Sequence, residues 1–447
     1  MLAIRTLGYL LLTSTPICAQ ITVGPDGSGA DYNSLALAIA EAPDGSELRL
    51  LPGEYEPFDL VGKSLRIIGA DIDDVIVRVP AGAGTFDQGS RIRQLAAGQA
   101  AYVSNLTFAC DSSLPFGAPT SVESCEGPVT FHECNFQAPS EFNARTLWVL
   151  FSEQVILTQS GAVGFQPGPD PGLAATGGTA LEVLDSRVDV NHGVLQGGSA
   201  PVPGLLGSRG GSGVIAEGST VQLHETVVVG GDAVVNSSSA GDLGGKPGIE
   251  VEDSLVRLSG ALSAVVFGGS SQVQGGGGSL AGAPAIELLG LSSLERFVGP
   301  ALLPGTDSTG VPEPSIVASL ESTQLEYLGR RAGLRTFVTQ AGGPVPLGDT
   351  FDVELRGTPG AFQAYALSFQ VQPGAALPGY SGELLLATQG LQIFPANQLD
   401  SAGVTDVSVA VPADPVFAGV TGYFQSLELN APDGPWLSLL AAVQVAI

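Results

Sequence analysis

The sequence predicts an all-β chain: a right-handed parallel β-helix with an N-terminal cap, followed by a C-terminal β-sandwich-like domain. Three observations predict it. Five blocks of the chain superimpose without gaps, each block alternates apolar and polar residues with period two, and near residue 310 the repetition gives way to short alternating runs separated by turn signals.

The blocks begin at Val122, Trp148, Leu181, Val214 and Ile249. Each carries an apolar first residue, a second seven positions later and a third nine later: Val129 and Phe131, Val155 and Leu157, Val188 and Val190, Val221 and Leu223, Val256 and Leu258. Alternation of this kind buries one face of a strand. Stacking such strands in parallel buries an aliphatic column that one block cannot bury alone. A looser copy begins at Ile286, and partial ones at Leu65 and Leu106.

In chain order, residues 1–19 read as a signal peptide. Arg5 makes a positive start, Leu7 to Leu12 an apolar run, and Ile17-Cys18-Ala19 a cleavage site before Gln20. The expected location is therefore secreted, extracellular or cell-surface. No later apolar run reaches the roughly 18 residues a membrane span needs. Residues 20–310 are assigned to the capped β-helix and 311–447 to the second domain. The cap comprises a strand at Ile21 to Val23, an apolar-periodic stretch from Tyr32 to Ala42, and a strand from Glu47 running into Pro52-Gly53-Glu54-Tyr55. It stands where an uncovered strand edge would otherwise template aggregation.

Between later blocks the excess length is Gly-rich and recurs at one phase: "QGGSAPVPGLLGSRGGSG", "GGDAVVNSSSAGDLGGKPG" and "GGSSQVQGGGGSLAGAP". Insertions at one phase of a solenoid lie on one side of it. In the second domain the strand candidates are Thr350 to Leu355, Ala364 to Val371, Gly382 to Ala387, Val407 to Pro412, Tyr423 to Leu429 and Leu440 to Ile447.

The chain holds 62 Gly and 31 Pro, yet 44% of its residues are hydrophobic, which fits a folded, turn-rich protein. Lys and Arg number 17 against 44 Asp and Glu, a formal charge of −27. Such a surface repels nucleic acid and anionic lipid, and leaves room for Ca²⁺ as a cofactor.

Candidate chemistry is sparse. The outward positions between the two buried strand residues are Thr130, Ile156, Asp189, Gln222 and Arg257. Asp189 and Arg257 are the catalytic candidates: about 10 Å apart at two rungs' separation, they are too distant to pair but within the span of a sugar. His132 and His224 share a rung position with Thr158 and Asn191 between them, too far apart to share a metal ion. His192 falls one position later, facing another way, beside Glu133 and Glu225. Cleavage of the leader leaves Cys110, Cys125 and Cys134; Cys110 and Cys134 lie about one coil apart and form the disulfide candidate.

The segment "ITVGPDGSGADYNSLALAIAEAPDGSELRLLPGEYE" resembles the N-terminal part of pectin-lyase-like β-helix proteins. The tail segment "VPADPVFAGVTGYFQSLEL" is similar to C-terminal β-domains of secreted bacterial β-helix proteins of unassigned function. Pectin methylesterase shares this coil, and the resemblance implies two aspartates and an arginine on its outer face, one carboxylate attacking the ester while the other donates a proton. The chain departs from that pattern. The Asp-Phe-Ile-Phe-Gly type motif has no match, and "YLGRRAGLRTF" from Tyr327 lacks the proline and tryptophan of Leu-Gly-Arg-Pro-Trp. The expected function is that of a non-catalytic secreted or surface protein, binding extracellular polysaccharide or envelope components through its Gly-rich loops. The alternative is a polysaccharide-active enzyme, pectate lyase-like or pectin esterase-like.

Overall fold

The structure is a computed structural model. It describes residues 20–447 apart from 81–88, 111–117, 139–144, 167–174, 201–207, 237–243, 260–264, 275–280, 298–299, 328–332, 338–344, 346, 357, 370, 377–382, 387–390, 402, 415–416, 418–420, 430–435, 438–440 and 445–447. The expected leader, residues 1–19, lies outside the described residues.

Each rung contributes a strand to three parallel ladders. The first ladder has nine strands and runs from Asp59–Val61 to Ile316–Ala318. The second runs from Gln20–Val23 to Thr323–Tyr327, and the third from Gly53–Tyr55 to Ala301–Leu303. One rung reads Thr179–Leu184, Arg187–Asn191 and Val194–Gln196, after which the chain leaves in a loop and returns to the first ladder. This is a parallel β-helix.

Register explains the core. Val129, Val155, Val188, Val221 and Val256 stand in line on five successive rungs, all fully buried. Removing each from water contributes roughly 1.5–3 kcal/mol. The open end of the coil is closed by a helix, Leu35–Glu41, whose Leu35, Ala38 and Ile39 pack into that same core. Its N-cap, Ser34, accepts a hydrogen bond from the Leu37 N–H, satisfying a donor that the first turn cannot.

The coil turns its corners with single left-handed residues. Between the first two ladders these are Gly62, Gln94, Ser124, Phe151, Asp185, Gly218, Asp253 and Gly290; between the second and third they are Asn105, Glu133, Gln159, His192 and Glu225. Corners this tight orphan backbone donors, and a column of hydroxyls satisfies them. The N–H groups of Ser152, Ser186 and Ser219 donate to the Oγ of Ser186, Ser219 and Ser254 on the next rung, at 2.9, 3.1 and 3.0 Å. Each hydroxyl donates in turn to the carbonyl two residues back, as Ser186 does to Leu184 at 2.7 Å.

Two of the three cysteines occupy this ladder role, which corrects the expected disulfide. Cys110, Cys125 and Cys134 are all buried, and no disulfide joins any two of them. Cys125 precedes Ser152 in the first-corner column, and the Cys134 N–H donates to Ser160 Oγ at 3.1 Å in the second. Register sets Cys134 against Leu106 and Cys110 against Val79, so the sulfurs of the candidate pair stand on different columns.

The gap-free superposition also needs correction at its first two blocks. Leu181, Val214 and Ile249 do stand in line, but Leu181 pairs with Leu147, not Trp148, and Val122 pairs with Val149. The corners after Glu123 and Leu150 take more residues than the one after Leu184. A slip of one residue moves a side chain to the other face, so Trp148 points outward.

The parallel ladders continue through Tyr327, past the boundary expected at residue 310. Beyond them pairing becomes antiparallel. Gly333–Phe337, Thr350–Arg356 and Val404–Ala410 form one sheet. Gln392–Gln398, Phe362–Ser368, Thr421–Glu428, Trp436–Leu437 and Ala441–Gln444 form another. Phe351, Val353 and Leu355 from the first meet Tyr365 and Phe424 from the second in one buried core, with the Phe351 and Phe424 rings edge-on at 5.4 Å. That is sandwich packing.

Candidate functional site

The Gly-rich loops leave and return through necks that are the most closely packed backbone of the coil. A Cβ on Gly198 would sit 1.6 Å from the Phe165 carbonyl oxygen, and one on Gly231 2.0 Å from that of Gly198. Only glycine fits. In exchange for side chains the necks form a continuous hydrogen-bond run: Gly178 N–H to Phe165 O at 3.0 Å, Gly198 to Gly178 at 2.8 Å, Gly211 to Gly198 at 2.8 Å, and Gly231 to Gly211 at 2.7 Å. Outgoing and returning legs alternate along it, so each loop is clamped between its neighbours.

Beyond the necks the legs pair with their counterparts: Ala175–Thr176 with Ser208–Arg209, and Ala233–Asn236 with Ser271–Gln274, both parallel. Asp232 takes a rung in a second hydroxyl column, its N–H donating to Ser199 Oγ at 3.1 Å and its Oδ1 accepting from Ser270 N–H at 2.6 Å. The described legs therefore form an ordered row along one side of the coil. Residues 167–174, 201–207, 237–243 and 275–280, the middles of the loops, lie outside the described residues.

The returning legs lead into the first ladder, and its outer face lies at their foot. One outward side chain per rung gives the column Asp59, Arg91, Ser121, Trp148, Glu182, Ile215, Glu250 and Glu287. Parallel rungs lie about 4.8 Å apart, so this is a straight row of side chains at that spacing. Its charges are organised along the row. Arg93 Nε and Nη2 reach both oxygens of Asp59 at 2.9 and 2.7 Å, holding that carboxyl below the usual range. Arg145 bonds Glu182 and lies over the Trp148 ring, 4.6 Å from its centroid. Glu250 Oε2 accepts from Lys246 Nζ at 2.9 Å and from Ser212 Oγ at 3.1 Å.

Asp189 and Arg257 are on a different face. They belong to the outward column of the second ladder, where register places Gln222 between them, and nothing brings them together. Arg257 Nε instead meets Glu295 Oε2 on the next rung at 2.7 Å. Asp189 has Arg187 Nε at 3.5 Å and is only 2% exposed. One rung before Asp189, Ile156 packs against Leu386 of the tail, with Ala366, Leu384 and Leu391 around them.

The histidine register is as expected, with His132, Thr158, Asn191 and His224 in line. His192 is not turned away from them, however. From its left-handed corner its ring meets that of His224 edge-on at 5.7 Å, and its Nδ1 lies 3.3 Å from Glu225 Oε2. Burial lowers the His132 pKa to about 4, while burial and then the charge of Asp71 raise that of Glu133 to about 7. Among the described residues no group of three or more His, Cys, Asp or Glu could hold a metal ion, and no helix is long and apolar enough to cross a membrane.

Trp148 is the residue that sequence reasoning missed. Its signal was present in "ARTLWVLFSEQ", where Leu147 and Val149 flank it in alternation, but the gap-free superposition overrode that signal.

No protein-family model matches the chain, and no curated protein does. Among solved structures it is similar to tailspike protein 2 of the Escherichia coli O157:H7 bacteriophage CAB120, at 10% identity and a TM-score of 0.28, over 96% of this chain and 64% of that one. The chain thus spans less than two thirds of that tailspike's length. It is also similar to a pectin methylesterase in complex with a hexasaccharide, at 13% identity and a TM-score of 0.25, over 69% of this chain and 93% of that one. A third similar structure is the A-module of a mannuronan C-5 epimerase from Azotobacter vinelandii, at 12% identity and a TM-score of 0.27, over 66% of this chain and 93% of that one.

Proposed function

We propose that this protein is an exported, non-catalytic β-helix protein that holds an extended polysaccharide, in solution or at a cell envelope, along the outer face of its first ladder. The observation that carries this reading is the straight row Ser121, Trp148, Glu182, Ile215 and Glu250, one side chain per rung, at the foot of the hydrogen-bonded loop necks. A linear polymer repeats its hydroxyls and ring faces along one direction, and a solenoid face does the same at a fixed spacing. Trp148 offers an apolar surface within a row of hydrogen-bonding groups. With a net charge of −27 the favoured polymer is neutral, and a uronate chain would need Ca²⁺ as a bridge. Affinity electrophoresis of the full chain through neutral and uronate polysaccharides, with and without Ca²⁺, tests this. Retardation by a neutral polymer that weakens in Trp148→Ala supports the reading, and free migration through every polymer refutes it.

One observation favours a second reading, a glycan-active enzyme. Glu250 and Glu287 are direct partners on adjacent rungs of the same face. Paired carboxylates at such spacing are the requirement for acid and base roles at a glycosidic bond. Release of reducing ends or unsaturated uronate by the wild type, lost in Glu287→Gln, would promote this reading over the first.

A further inference from the structure

The outward positions of the first two ladders carry charge: Asp59, Arg91, Glu182, Glu250 and Glu287 on one, Arg66, Asp189, Arg257 and Glu295 on the other. The third ladder departs from this over its last five rungs. Register gives it two outward columns there, Gly161, Val194, Val227, Val265 and Ala301 in one, Val163, Gln196, Val229, Phe267 and Leu303 in the other. Between them Ala162, Leu195, Val228 and Val266 point inward and are buried. Apart from Gly161 and Gln196 every outward residue is apolar, and none is charged. Each is at least partly exposed, Val163, Val194 and Leu303 by 36%, 46% and 46%.

The stripe is long and narrow. Five rungs about 4.8 Å apart make it about 19 Å long, and columns two residues apart make it about 7 Å wide. Its long sides are polar. Along one stand the corner residues His192 and Glu225, two positions before Val194 and Val227, with Nδ1 of the first 3.3 Å from Oε2 of the second. Along the other the chain passes through the glycine necks to the hydroxyl column, where Asp232 Oδ1 accepts from Ser270 N–H at 2.6 Å and the Thr306 N–H donates to Ser270 Oγ at 3.2 Å. An exposed apolar surface with a polar rim marks a contact site.

Shape and chemistry limit the occupant. With side-chain breadth added, the footprint is on the order of 250 Å², against about 800 Å² per partner in a stable protein interface, too little for a second copy or another globular protein. The strand backbones are paired within the ladder, and Gln196 is the one hydrogen-bonding side chain of the floor, so a peptide or a sugar would lose hydration there without gaining partners. A linear chain without polar groups fits. A bilayer's hydrocarbon core of about 30 Å holds two acyl chains end to end, so one chain spans about 15 Å, within the length of the stripe. The carboxylates of Glu225 and Asp232 on the rims, and a net charge of −27, disfavour an anionic head.

We propose that the outer face of the third ladder, from Gly161 to Leu303, binds the single acyl chain of an amphiphile with an uncharged head. This face lies across the loop necks from the first ladder, and its occupant is independent of the polysaccharide reading.

Calorimetric titration of the full chain with alkyl polyoxyethylene ethers, whose heads are neither charged nor sugars, tests this at concentrations below micelle formation. Saturable binding of one molecule per protein is expected. Affinity should rise about twofold per methylene from octyl to dodecyl, since full burial gives about fourfold and here one side of the chain is covered. Val194→Asp, which gives this face a charge like those of the other ladders, should weaken the dodecyl ether at least tenfold with thermal unfolding unchanged. Val227→Thr, which keeps the shape and adds a hydroxyl, should weaken it by a smaller factor, and Leu291→Asp, at an exposed corner off the stripe, should leave it unaltered. The proposal is overturned by absence of saturable binding, by affinity independent of chain length, or by equal weakening in Leu291→Asp. Flotation with phosphatidylcholine vesicles without uptake of the monomeric ether would assign the stripe to a membrane surface, and a dimer in sedimentation velocity that Val194→Asp dissociates would assign it to a second copy; either contradicts the proposal.

Discussion

Trp148 and Glu182 stand in direct register on adjacent rungs, and the Arg145 guanidinium serves both, bonded to the carboxylate and lying 4.6 Å from the centre of the indole ring. A cation over an indole contributes about 0.5–1 kcal/mol at partly exposed sites, so the trio holds the ring in place without contributing greatly to folding. Trp148→Ala should therefore leave thermal unfolding within a few degrees of wild type while weakening polysaccharide affinity by about tenfold, as read by titration calorimetry. A large loss of stability with unchanged affinity would make Trp148 a packing residue.

The corner hydroxyls should behave as structural atoms. Ser186 accepts from one rung and donates within its own, so Ser186→Ala leaves the buried Ser152 N–H without a partner, at a cost of about 1–3 kcal/mol. Ser186→Cys should cost less than half of that, since Cys125 already fills the equivalent place on another rung. Urea unfolding separates the two variants. In the same preparations, peptide mapping without reduction should find no disulfide between Cys110 and Cys134.

The loop necks predict an unusual sensitivity to one methyl group. Gly198→Ala drives a Cβ into a carbonyl oxygen that is itself hydrogen-bonded within the neck run, and should destabilise the protein by about 1–3 kcal/mol. Alanine at Gly161, whose missing Cβ would meet nothing nearer than the Val194 carbonyl oxygen at 3.7 Å, is the control for glycine replacement in the coil. If both changes cost the same, the necks are not clamped.

His132 and Glu133 should leave opposite marks on stability. The folded pKa of His132, about 4, lies below the ordinary imidazole value of 6.5, so its contribution is complete above pH 6.5 and is lost as pH falls toward 4. His132→Asn should gain on wild type between pH 7 and pH 4, by up to about 3 kcal/mol. The folded pKa of Glu133, about 7, lies above 4.5, so its contribution is complete below pH 4.5 and is lost as pH rises through 7. Glu133→Gln should gain on wild type in that upward direction. Urea titrations across this range check both, and variant profiles parallel to wild type would contradict both assignments.

Most of the coil is legible in the sequence because period and register share one cause. The line Val155, Val188, Val221 and Val256 follows from alternation alone, and it fixes which residues lie outward on the second ladder. The first ladder was less legible at Val122 and Trp148, because corner length varies and a single extra residue reverses the faces. The tail strand Gln392–Gln398 was not anticipated, since Pro395 within it argues against a strand unless it lies at an edge, which is where this one lies. Asp189 and Arg257 were correctly placed two rungs apart, yet their surroundings could not be read from the repeat. On the neighbouring rung Ile156 packs against Leu386, far downstream in the chain, and local pattern carries no signal of that contact. The loops were placed on the right side, but their glycines hold the necks together rather than loosen them.

The central claim, that the outer face of the first ladder holds a polysaccharide, is tested most directly by titrating the full chain with a panel of neutral and uronate polymers while following the fluorescence of Trp148 in a Trp436→Phe background. A saturable change with a neutral polymer, abolished in Trp148→Ala and unaffected by Arg257→Ala on the second ladder, is the predicted result. Saturable binding that is lost in Arg257→Ala and leaves Trp148 silent would place the ligand on another face and contradict the account.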